Sequence, residues 1–393
     1  TALPRDEFFE FPAVDRARHM SDAGAVPATN AAAWRAMVAP YLKPDARRAV
    51  MQLSTTGLLF LAVMAGMLTA LEHGILAATL LAPPAAILLM RLFTFQHDCG
   101  HGSFFAARRV NDCIGQLLGV LTLTPYSAWR GKHAAHHASA GNLDRRGVGD
   151  VTTLTVSEYV ALPAWRRLAY RLYRHPLVMF GVAPSWLFLV RYRVPTGDPR
   201  RHWREWLSVV GTDAALGAVL AALVVTLGPL PVLLGWLPVA LLAATIGVWL
   251  FYIQHQFEET YWEPQRDWDF RAAALQGASF YDLPAALHWM TGNIGFHHIH
   301  HLSSRIPNYR LRECHEANPA LQAAPRLTLR ESLRCARLAL WDAEGRRLVP
   351  FGKVRTARAE ERCGSCGRGA GLWRPHAPSI RRLAASVTRR IRP

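Results

Sequence analysis

Apolar residues in this chain gather into four long runs, at residues 54–71, 75–95, 206–227 and 230–252. The second has Arg91 near its end, the third is interrupted by Ser208 and Asp213, and the fourth has no charge. Crossing the hydrocarbon core of a bilayer takes about 20 helical residues, so each run predicts a spanning helix. The runs are paired. Glu72-His73-Gly74 separates the first two and Gly228-Pro229 the last two, which predicts two membrane hairpins. Asp213 is expected to face the interior of the bundle, in a structural role.

Two shorter apolar stretches, 112–129 and 176–190, are broken by Pro, Gly and polar residues. They are read as interfacial or re-entrant helices that seat the aqueous part on the bilayer. Neither hairpin turn carries Lys or Arg, whereas the N-terminal segment has Arg5, Arg16, Arg18, Arg35, Lys43, Arg47 and Arg48, and the region between the hairpins is Arg-rich. The positive-inside rule then places both termini and the central region in the cytoplasm. The first 20 residues are mixed and charged and show no signal-peptide h-region. The expected fold is an all-α integral membrane protein, with four transmembrane helices and a helical cytosolic cap. It divides into a cytosolic N-terminal segment (1–50), a main domain (51–351) and a basic, poorly ordered tail (352–393).

Composition sharpens this picture. The 393 residues are 51% hydrophobic yet carry a formal charge of +17. Basic cytosolic surface suits anionic lipid headgroups or an acidic protein partner. Nucleic acid is not expected, because the excess lies beside the spans and in the tail. The six cysteines avoid the hairpin turns, as reduced cytosolic thiols would. Cys363-Gly364-Ser365-Cys366 is a lone CxxC, without the second pair a structural zinc site requires.

The candidate chemistry is in the histidines. Nine of the 17 fall in three windows: His97-Asp98-Cys99-Gly100-His101, His133-Ala134-Ala135-His136-His137 and His297-His298-Ile299-His300-His301. Imidazole is the commonest protein metal ligand, and helix positions i, i+3 and i+4 share a face. His97 and His101 fit that spacing, as do His133, His136 and His137, and His297, His300 and His301. Eight aligned imidazoles exceed the four ligands of one zinc site and fit two transition-metal ions. Two complete hairpins put all three windows on one side of the membrane. His298 points roughly 100° away from His297, so a supporting or surface role is expected. His19, His73, His175, His202, His315 and His376 are isolated and read as surface or interface histidines.

These windows resemble the three histidine boxes of the membrane fatty-acid desaturases, over about residues 91–350. The flanks match too: Gly141-Asn142-Leu143-Asp144-Arg145-Arg146, Tyr173-Arg174-His175-Pro176, Gln254-His255-Gln256-Phe257-Glu258, Thr291-Gly292-Asn293-Ile294-Gly295-Phe296 and Ser303-Ser304-Arg305-Ile306-Pro307-Asn308-Tyr309. They are most similar to the bacterial and plastid acyl-lipid enzymes of the Δ12 (omega-6) branch.

The resemblance implies a di-iron centre with nine histidine ligands. Eight come from the boxes, and the ninth position, at the end of the fourth span, falls on His255, with His288 as competitor. In the acyl-CoA branch an Asn one turn earlier bridges to metal through water. Here that position is Phe251, with Asn293 as a possible substitute. Asp98, Asp144 and Glu258 are expected to orient histidine N–H groups, and Trp129, Trp289 and Phe296 to wall a bent apolar substrate tunnel. The implied reaction uses O₂ and two electrons to turn adjacent methylenes of a membrane lipid acyl chain, such as oleoyl, into a cis double bond. The chain has no flavin, nicotinamide or fused cytochrome b5 signature, so electrons are expected from a separate protein, ferredoxin or alternatively a cytochrome b5-type carrier. The bacterial inner membrane is the expected location. Two other readings stay open: a related di-iron hydroxylase or ketolase acting on lipid, alkane or carotenoid, and a non-enzymatic metal carrier. The carrier would need ligands inside the spans, and the spans contain essentially none.

Overall fold

The computed structural model describes residues 31–354, apart from Val148. Residues 352–354 are the only part of the 352–393 tail within it; Cys363, Cys366 and His376 lie outside the described residues, as do His19 and the first arginines.

A short helix α1 (Ala31–Val38) leads to α2 (Ala46–Leu71) and α3 (Ile75–His101), the first hairpin. The Asp45 side chain starts α2 by accepting from the Arg48 backbone N–H at 3.1 Å. Next come α4 (Arg108–Leu121) and α5 (Tyr126–Ser139), then strand β1 (Leu154–Thr155) and helices α6 (Val156–Ala161), α7 (Ala164–Tyr173) and α8 (Ala183–Leu189). The second hairpin is α9 (Trp203–Leu227) and α10 (Pro229–His255). The rest of the cap is α11 (Phe270–Gln276), β2 (Phe280–Asp282), α12 (Ala285–Met290), α13 (His297–Leu302), α14 (Asn308–Ala317), β3 (Arg326–Thr328), α15 (Leu329–Cys335), β4 (Leu340–Asp342) and β5 (Arg347–Val349).

Among the described residues, α2, α3, α9 and α10 are the four helices long and apolar enough to cross a membrane. The 112–129 stretch folds as α4 and the start of α5, and 176–190 as a π-helical turn, Val178–Val182, running into α8. The structure adds two small sheets to the expected all-helical fold: β1-β4-β5, and β2 parallel to β3. They pin cap segments distant in sequence, such as Leu154 beside Leu340 and Tyr281 beside Leu327.

α3 is the central helix, packed on α2, α4 and α10. Its buried face includes Ala78, Ala82, Ala85 and Ala86, which meet Val239 and Ala243 of α10 in one core. Small side chains let membrane helices approach closely where lipid supplies no hydrophobic drive. The large residues turned outward, including Leu58, Leu61, Leu80, Leu207 and Val225, form the lipid-facing belt. Asp213 is paired: the Arg193 guanidinium donates to it at 2.5 Å. A lone aspartate at a helix centre costs about 2.5–3.5 kcal/mol, and this partner offsets part of that.

α3 and α10 continue past their apolar runs. Residues 75–95 rise about 31 Å, enough to cross the hydrocarbon. The next six residues lift His97 and His101 up to about 9 Å further. α10 likewise ends on His255. Two spans thus carry ligand-type residues rigidly out of the bilayer.

Candidate metal centre

The site forms where the ends of α3 and α10 meet α5 and α13. Gly102, in the left-handed region at φ 69°, stops α3 immediately after His101. The nine expected histidines converge in two groups. The potential ligand atoms of His97, His101, His133, His137 and His300 all lie within 4.8 Å of one another, and so do those of His136, His255 and His301. His297 joins the second group, its Nε2 3.0 Å from Nε2 of His255. Nε2 of His136 is 3.2 Å from the same atom. In the first group, Nε2 of His137 lies 3.1 Å from those of both His133 and His300.

The electrostatics suit cations. Burial first, then neighbouring imidazoles, hold His133, His137, His297, His300 and His301 well below the ordinary histidine pKa. They are neutral and offer lone pairs. Nε2 of His101 and of His301 are buried without a hydrogen-bond partner, a costly state for a polar atom unless something binds it. Metal–nitrogen bonds of about 2 Å put ligand nitrogens roughly 3–4 Å apart, and the closest pairs in both groups, at 3.0–3.2 Å, match that spacing. The residues therefore fit two metal ions of imidazole preference, such as iron.

Acceptors behind the rings fix their orientation. His97 Nδ1–H donates to Asp98 at 3.2 Å, and the other Asp98 oxygen accepts from the Asn308 backbone and side chain at 2.7 and 2.9 Å. Asn308 belongs to the motif leaving the third box, so first and third boxes are tied together here. His255 Nδ1–H donates to the Gly277 carbonyl at 3.0 Å. His136 Nδ1–H donates to Asp150, which sequence reasoning missed. Asp150 lies beyond the second box's flank, with no spacing rule to mark it. The available signal was its Gly-flanked loop: Gly149 has φ 70°, and a Cβ there would sit 3.2 Å from His136 Cβ.

Several expected supporting residues are placed elsewhere. Asp144 accepts from the Gln265 backbone at 2.8 Å and reaches no histidine. Glu258 is exposed and faces Arg347 at 3.7 Å, since the backbone of Gly277 already serves His255. The Asn293 amide donates to the Asn308 carbonyl at 3.1 Å, so it does not substitute for the missing Asn. His288 stacks on Phe296, and its Nε2 accepts from the Leu283 N–H at 3.3 Å. His298 packs against Phe280 and His315, outside both groups.

An apolar cavity of about 610 Å³ runs from this centre between α3, α8 and α10. His97, His133 and His297 line its upper end, with Trp129 and Phe251 beside them. It reaches down α10 from Gln254 to Ala240, about 21 Å of helix. Trp129 lines this cavity, and Trp289 and Phe296 do not. Trp289 is 43% exposed under the Arg91 guanidinium, and Phe296 clusters with His288 and Phe280, its ring stacked against both.

The flank motifs hold the frame. Arg174 is buried and donates to Gln256 Oε1 at 2.8 Å, the Leu338 carbonyl at 2.9 Å and the Tyr252 hydroxyl at 3.1 Å. It joins α7 and the final cap turns to the end of α10.

Comparison with known proteins agrees with this geometry. The Fatty acid desaturase family model matches residues 73–332. A Fatty acid desaturase of Bacillus subtilis is 41% identical over 81% of this chain and 90% of its own length. A Synechocystis sn-1 oleoyl-lipid 12-desaturase is 29% identical over 57% of this chain and 63% of its own. A Synechocystis sn-1 acyl-lipid omega-3 desaturase (ferredoxin) is 34% identical over 58% of this chain and 64% of its own. This chain spans less than two thirds of the two Synechocystis enzymes. The chain belongs to the fatty acid desaturase family, as an integral membrane, oxygen-dependent oxidoreductase.

Proposed function

We propose that this protein inserts a cis double bond into a lipid-linked acyl chain, at the Δ12 (omega-6) position of oleoyl, using O₂ and two electrons. The reading rests above all on the cavity, which is apolar, deep, and lined at its upper end by three of the nine histidines. An acyl chain offers no polar handle near its reacting carbons, so position must be chosen by shape. Such a cavity can choose it by how far the chain descends between α3 and α10.

His97, His101, His133, His137 and His300 would hold one iron, and His136, His255, His297 and His301 the other. Iron held there would supply the O₂ activation needed to break two unactivated C–H bonds. The protein's own residues orient the rings through Asp98, Asp150 and the Gly277 carbonyl. Trp129 and Phe251 exclude water beside the centre. The similarity to an oleoyl-lipid 12-desaturase supports the Δ12 position, and that to an omega-3 desaturase (ferredoxin) supports ferredoxin as donor. The described spans and basic loops support placement in a bacterial inner membrane with the metal centre on the cytosolic side.

The test is expression in a host lacking polyunsaturated lipids, followed by fatty-acid analysis. A new diunsaturated product with its second bond at the twelfth carbon is expected, and it should vanish in His301→Ala together with bound iron. Hydroxylated chains without a new double bond would establish the hydroxylase reading instead. An unchanged profile with iron loaded and a competent donor present would refute both.

A further inference from the structure

Building on the desaturase reading, we infer that the cap carries a docking surface for a small acidic one-electron carrier. It lies over His101 and His137, on a different side of the metal centre from the acyl cavity. The two histidines are partly exposed, yet neither lines that cavity. The centre therefore has a second accessible edge. Substrate reaches it from the cavity side, through His97, His133 and His297.

The surface around this edge is basic and carries small side chains. On α5, Arg130, Gly131, Ala134 and Ala138 share a helix face adjoining His137. Gly131, Ala134 and Ala138 are exposed, and a Cβ added at Gly131 would meet nothing. Small residues there leave room for a partner to come close to the imidazole edges, and electron transfer weakens steeply with distance. Arg108 and Arg130 both stand beside the chain at His101. Arg108 lies 3.9 Å from a Cβ built on Gly102, and Arg130 lies 3.8 Å from one built on Gly100. Both also face Asp112, at 3.4 and 2.5 Å. Two guanidiniums share one carboxylate, and exposed Arg109 adds another positive charge. Positive potential of this kind steers an acidic partner and orients it.

The electron count gives the surface its use. Two reduced carriers each deliver one electron here and leave oxidised. O₂ accepts those two electrons and two more from the two C–H bonds broken in the chain. With the two hydrogens of the chain and two protons from solvent, it leaves as two water molecules.

The test uses the full-length, iron-loaded enzyme in vesicles and a reduced plant-type [2Fe–2S] ferredoxin as probe. Arg108→Glu should raise the KM for ferredoxin at least tenfold at low salt, with the gap closing as salt screens it. Gly131→Trp, outside the histidine window on the same exposed face, should raise it at every salt concentration. Single-turnover desaturation by dithionite-reduced enzyme should stay within twofold of the parent in both variants. An unaltered ferredoxin KM in both variants would overturn the assignment. So would an equal loss with dithionite, which would locate the damage in the metal centre. A defect that follows the anionic lipid content of the vesicle would give the basic rim to the membrane, and a changed oligomeric state would give it to a second copy; either result overturns it too. No product from the parent with either reductant would instead refute the desaturase reading, and this surface with it.

Discussion

Asp150 shows how a single residue can matter without belonging to any motif. It is nearly buried and its carboxylate accepts from His136, the ring that faces His255 across the second metal position. Removing an acceptor behind a ligating histidine typically lowers metal affinity or activity by about 10- to 100-fold. Asp150→Asn should therefore lose iron and activity on that scale, measured as iron per protein and product per hour. Asp144→Asn should stay within about twofold, because Asp144 holds only the Gln265 backbone. Equal effects in the two variants would contradict the ring-orienting role. The two aspartates look alike in the sequence. Asp144 even has the better position, inside a flank motif, and only the path of the Gly-rich loop separates them.

At the scale of elements, two helices decide what the site can do. α10 carries His255 at its end, while Ala240, Ala243 and Ala244 line the lower part of the cavity. Ala244→Phe should close the lower cavity. Conversion of oleoyl chains should drop at least tenfold while shorter chains keep most of their conversion, read from the acyl profile. An unchanged preference would place the substrate elsewhere. α7 acts at the other end, through Arg174. Arg174→Met would remove the guanidinium donations to Thr152, Tyr252, Gln256 and Leu338, at about 0.5–1.5 kcal/mol for each hydrogen bond lost, while the Thr153 and Tyr252 hydroxyls still serve Gln256 and the Leu338 carbonyl. The midpoint of thermal unfolding in detergent should fall by several degrees, with the spans still helical by circular dichroism. Tyr173-Arg174-His175-Pro176 was visible as a motif, but its use was not. The buried guanidinium meets partners 78 to 164 residues away, beyond the reach of any local periodicity.

For the whole molecule, the two hairpins determine which side of the membrane holds the chemistry. Native Cys113 is exposed on α4, and His73 sits in the first hairpin turn. In a variant with Cys113, Cys363 and Cys366 changed to serine, His73→Cys should react with a membrane-impermeant maleimide in intact cells. Native Cys113, as the remaining accessible thiol in a Cys363→Ser, Cys366→Ser background, should react only after the membrane is opened. Labelling of both from outside would break the one-sided arrangement.

What the sequence by itself determined was local and repetitive: four spans from apolar length, two hairpins from their turns, and shared helix faces from the i, i+3, i+4 spacing of the histidines. Such features depend on the 1.5 Å rise and 3.6-residue turn of one helix, which any stretch of sequence displays. What only the tertiary structure decided was how those faces meet. It divided nine imidazoles into groups around His137 and His255, and gave His136 its partner in Asp150. It placed Trp129 in the cavity wall while turning Trp289 outward, and it left His101 and His137 accessible on a second side. These outcomes depend on distances between segments far apart in the chain. Those distances are set by the packing of α3, α5, α10 and α13 together, and no single segment encodes them.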